Sequence, residues 1–134
     1  MILAMAEAGD WAWNDGWVLG SIIINRRSGS GDLVGLLDTA DYINRLVLSA
    51  NEIDTAVNRL RAADLLDSTD FLVPSTSAES LWEEADGEGG PVASIRRLVV
   101  LMNLKAKPRE ELPLWSLGHD EYKAAIDRYR ERFD

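Results

Sequence analysis

The chain has 134 residues, 46% hydrophobic and 28% charged, which suits one domain around a single core and excludes wholesale disorder. It has no cysteine, so disulfides, thiol nucleophiles and thiolate-ligated metal centres are excluded. The formal net charge of −9 is unevenly spread: residues 1–61 carry 5 basic and 8 acidic side chains, residues 62–95 carry 8 acidic and none basic, and residues 96–134 carry 9 basic and 7 acidic. That field repels polyanions from the middle third and attracts them only mildly near the C-terminus.

The opening MILAMAEAGD is apolar but has no Lys or Arg, and Glu7 and Asp10 interrupt it, so it lacks the pattern of a signal peptide. The longest apolar runs, at 22–24 and 98–102, fall far short of a membrane span. The expectation is a soluble, cytoplasmic protein with no membrane contact.

Asp10 is placed to cap a first helix, in which Trp13, Trp17, Gly20 and Ile24 recur every three or four residues. Arg26 and Arg27 suit its C-terminus. Gly16 and Gly20 weaken its first turns and move the firm start towards Asp15, and SGSG at 28–31 ends it. From Asp32 a second helix sets Leu33, Leu36, Leu37, Ala40 and Ile43 on one stripe, and the link that follows buries Leu46 and Leu48 on alternate sides. Ser49 and Glu52 then form a capping box, which opens a helix with Ile53, Ala56, Val57 and Leu60 inward and an end near Ala63.

LLDSTDFLVPS reads as two short strands about a turn at 67–70, closed by Pro74. Ser75 or Thr76 with Glu79 offers a second capping box for a helix to Glu84 or Ala85. DGEGGP is a linker, and Pro91 suits the first turn of a helical run over 92–104, where β-branched residues leave a strand open. Residues 105–113 form an irregular connection. A last helix begins at His119 or Asp120, with Tyr122, Ala125, Ile126, Tyr129 and Phe133 as its apolar stripe.

The segment VNRLRAADLLDSTDFLVPSTSAESLW is similar to the end of the recognition helix and the wing of winged-helix regulators, with Leu60, Ala62, Ala63, Leu65, Leu66, Phe71, Leu72 and Thr76 in the matching places. Over about residues 17–86 the chain resembles domains of the MarR and PadR kind. The resemblance implies a mostly α fold with a small β-hairpin: a winged helix-turn-helix-like core over 10–86 and a C-terminal helical extension over 87–134, together one domain. Extra C-terminal helices of this kind often dimerise. This sequence departs from the pattern in having no Lys or Arg in the wing, and in replacing the usual turn glycine by Ala63 and Asp64.

If Ile53, Val57 and Leu60 face the core, Asn51, Thr55, Asn58 and Arg59 point outward, where Asn suits adenine and Arg suits guanine. These are the nucleic-acid candidates. DNA affinity needs several cations on one surface, and here Glu52 and Asp54 offset Arg59 and Arg61 beside an acidic wing. Trp11, Trp13, Trp17, Tyr129 and Phe133 are the interface candidates, aromatic side chains being enriched at binding hot spots. His119 lacks companion ligands and reads as a helix-start cap; Glu83, Glu84, Asp86 and Glu88 do not follow a calcium-loop ladder; RRSGSG lacks phosphate-loop spacing. No catalytic, cofactor-binding or metal-ligating residue is assigned. The expectation is a non-enzymatic regulatory or protein-interaction module, with a protein partner or a second copy of itself, ahead of a DNA-binding regulator that uses the helix over 49–63.

Overall fold

A computed structural model describes residues 11–107 and 114–132. Within them lie six α-helices: α1 (Trp13–Ser28), α2 (Leu33–Asn44), α3 (Ala50–Ala62), α4 (Thr76–Ala85), α5 (Gly90–Lys105) and α6 (His119–Glu131). Helix α1 is the axis. Its residues Trp17, Val18, Leu19, Ile22 and Ile23 are almost wholly buried, because α2, α3, α5 and, less extensively, α4 pack around it. Helix α4 also packs on α5, and α6 packs on α2.

Local chemistry explains most of the helix starts. The Asp32 carboxylate accepts the Gly35 N–H at 2.9 Å and opens α2. Arg45, at φ 59, takes the left-handed turn that ends it. The Ser49–Glu52 capping box forms in both directions, at 3.0 and 3.1 Å. Ser75 caps α4 through the Ala78 N–H at 3.1 Å, but Glu79 turns to Arg27 at 3.1 Å instead of closing a box. The run left open between helix and strand is helix α5, with Pro91 in its first turn. Asp10 lies outside the described residues; α1 instead starts after Ala12, whose N–H is accepted by Asp15 at 2.9 Å. Gly16 and Gly20 serve a close crossing: a Cβ at Gly16 would meet Val99 at 2.4 Å and one at Gly20 would meet Ile95 at 2.9 Å, both on α5.

The expected winged helix-turn-helix, mostly α with a small β-hairpin, is corrected: among the described residues there is no strand and hence no hairpin wing. Between α3 and α4 remains one isolated antiparallel bridge, Leu66 with Pro74, flanked by bonds from the Asp67 N–H to the Val73 carbonyl and from the Ser75 N–H to the Leu65 carbonyl. The cause is side-chain competition. The Asp67 carboxylate takes the Thr69 N–H and hydroxyl, and the Asp70 carboxylate takes the Leu72 N–H, so local turns hold the backbone that a ladder would need. Pro74 has no N–H to add.

One smaller correction follows. Leu46 is 60% exposed while Leu48 is fully buried, so the link does not bury both. Ile95, Leu98 and Met102 of α5 are fully buried in the same cluster as α1, and α6 adds Ala125, Ile126 and Tyr129. No helix among the described residues is long and apolar enough to cross a membrane.

Candidate functional site

Helix α3 presents its first turns to solvent and its later turns to another part of the chain. Asn51 and Thr55 are exposed. One turn further on, Asn58 donates through Nδ2 to the Trp115 carbonyl at 2.8 Å and accepts the Trp115 N–H through Oδ1, also at 2.8 Å. Asp54 accepts the Leu117 N–H at 2.8 Å and the Ser116 hydroxyl at 3.3 Å. Residues 114–118 thus run along the polar face of α3 as a strap, with Leu117 buried beneath it. Arg59 points the other way. Its Nε donates to Asp15 at 3.2 Å and its guanidinium lies 5.1 Å from the centroid of the Trp11 ring. Of the four nucleic-acid candidates, Asn58 and Arg59 hold the fold together, and only Asn51 and Thr55 face solvent.

The interface candidates are mostly interior. Trp11 and Trp17 are buried, their indole N–H groups donated to the carbonyls of Ala106 at 2.6 Å and Ala40 at 3.0 Å; Trp13 is half-buried. Tyr129 is buried with its hydroxyl on the Asp41 carboxylate; burial first, then that carboxylate, pushes the phenol up to about 12. Phe133 lies outside the described residues. His119 is the exposed first residue of α6, one position past its N-cap Gly118. Glu84 pairs with Lys105 at 2.9 Å and Asp86 accepts the Ser94 hydroxyl at 3.1 Å. No group of three or more His, Cys, Asp or Glu among the described residues is placed to hold a metal ion.

Where the strap meets the end of α3 it borders a half-open cleft of about 300 Å³, lined chiefly by Arg61, Asp67, Asp70, Phe71, Trp115 and Glu121. The Phe71 and Trp115 rings stand 4.7 Å apart between centroids and tilted by 44°, both half-buried. The Thr69 hydroxyl and N–H hold the Asp67 carboxyl below its ordinary range, so it is charged at neutral pH. Among the described residues, three carboxylates and one guanidinium line the cleft around the aromatic pair. Such a cleft can hold a side chain by stacking and by charge. Periodicity did not single out Phe71 or Trp115. Phe71 reads only as part of an expected strand, and Trp115 lies in the run LPLWSLG, outside any helical pattern.

The fold and this cleft define an all-helical domain with an aromatic, net-acidic recess beside its third helix. Comparisons of the chain with protein-family models, with curated proteins and with solved structures found no significant match in any of the three.

Proposed function

We propose that the chain is a non-enzymatic interaction module that receives a segment of a partner protein in the cleft between α3 and the 67–72 loop. The observation that carries this reading is the half-buried Phe71–Trp115 pair at an open recess. Aromatic side chains with one face accessible combine a large contact area with few rotatable bonds, which is why they anchor interfaces. DNA readout by α3 has less support, since two of its four outward candidates, Asn58 and Arg59, are engaged by the strap and by Asp15, and residues 62–95 carry no Lys or Arg.

The test uses the full chain, labelled and passed over arrayed short peptides of varied composition and over random duplex DNA at about 50 mM salt, where nonspecific DNA binding is normally strong. The reading expects a restricted set of peptides to bind, with loss in the Phe71→Ala, Trp115→Ala double variant and no retention on DNA. Retention on DNA without any peptide binding contradicts it. A dimer in sedimentation whose association that double variant leaves unchanged points to self-association elsewhere and also contradicts it.

A further inference from the structure

Resting on that interaction reading, we infer that the segment received by the Phe71–Trp115 cleft is basic, a stretch bearing Lys or Arg whose cationic head lies over the rings and against Asp67, Asp70 and Glu121. Charge complementarity argues for it at two scales. Among the described residues that line the cleft, the carboxylates of Asp67, Asp70 and Glu121 outnumber the guanidinium of Arg61. Beyond it, the loop and α4 belong to a stretch, 62–95, with 8 acidic and no basic side chains. That stretch draws cations towards the recess and repels acidic chains from it.

The lining fits a cation in detail. Tryptophan and phenylalanine faces attract ammonium and guanidinium groups, tryptophan most strongly. This protein already makes one such contact, Arg59 over Trp11 at 5.1 Å, so the geometry is native to its own packing. Asp67 uses Oδ2 for both Thr69 bonds and Asp70 uses Oδ1 for the Leu72 N–H, and both carboxylates line the cleft. The hydroxyls of Ser68, Thr69 and Ser116 on the same lining add acceptors.

The experiment titrates the full chain with three synthetic hexapeptides of one length, carrying alternating Gly with Arg, Gln or Glu, and follows amide and indole NMR shifts. The basic peptide is expected to move Trp115, Phe71 and residues 67–70 saturably, with an affinity that falls as salt is raised. Asp67→Asn with Asp70→Asn keeps the oxygen acceptors of both turns, so the fold is retained, while binding weakens by roughly three- to tenfold, the effect of two partly exposed charge contacts. Arg61→Gln is expected to tighten binding. Shifts at the cleft produced equally or better by the Gln or Glu peptide overturn the basic assignment and leave the interaction reading standing. Shifts at the cleft from none of the three overturn both.

Discussion

Asn58 and Asp54 show how two polar side chains on one helix can settle the path of a distant segment. Between them they satisfy both backbone groups of Trp115 and the N–H of Leu117, groups that lie in no helix of their own. Removing them leaves partly buried backbone groups unmet. Asn58→Ala is therefore expected to destabilise the protein by about 1–3 kcal/mol in urea unfolding, with Asn58→Asp intermediate because it keeps the acceptor and loses the donor. Arg59→Ala is expected to cost about 1–3 kcal/mol as well, since it removes the cationic partner of the Asp15 carboxylate, whose side chain is only 5% exposed. A loss of any binding activity in Arg59→Ala would therefore report the fold before it reported a ligand. Tyr129 supplies a pH signature. Its phenol, pushed up to about 12, keeps in the folded state a proton that the unfolded chain releases near 10, so its stabilising contribution is complete below pH 10 and is lost as pH rises towards 12. Tyr129→Phe should accordingly lose less stability than the parent between pH 9 and 11.5 when urea midpoints are compared. An equal decline in both proteins would contradict that assignment.

At the scale of elements, the helix ends were legible in the sequence where a cap acts on residues three positions away. Asp32, Ser49 and Ser75 each take the N–H three residues on, and such bonds are local enough to read from spacing. The expected hairpin was not legible correctly, because the apolar pairs Leu65–Leu66 and Phe71–Leu72 look the same whether Asp67 and Asp70 solvate a turn or leave a ladder free. The glycines of α1 were misread for a related reason: their helix propensity is a property of one residue, whereas their use lies in the approach of α5. Gly20→Ala tests this. Propensity alone expects a gain approaching 1 kcal/mol, but the added methyl would lie 2.9 Å from Ile95 Cγ1 and 3.4 Å from the Trp82 ring. Overpacking should win, with a net loss of roughly 1–3 kcal/mol in thermal or urea unfolding. A stabilised Gly20→Ala would mean that the helices separate easily.

For the whole molecule, hydrophobic periodicity located the core of α2 and α3, and it could say which side of α3 faces away from that core. It could not say that another part of the chain, 57 residues later, would cover the outward side. That is a long-range pairing, carried by side-chain amide and carboxylate groups rather than by any repeating pattern, and it moves the candidate site from the helix face to the cleft at its edge. The net charge points the same way: a surface acidic through its middle third suits basic partners and discourages nucleic acid. The central claim is that the strap closes the polar face of α3, and amide hydrogen exchange measures it residue by residue. Our account expects the Trp115 and Leu117 N–H groups to exchange far more slowly than exposed loop amides, with that protection lost selectively at Trp115 in Asn58→Ala while the α1 amides stay slow. Exchange of both amides at the rate of a free peptide, in the unmodified protein, would show the face open and contradict the account.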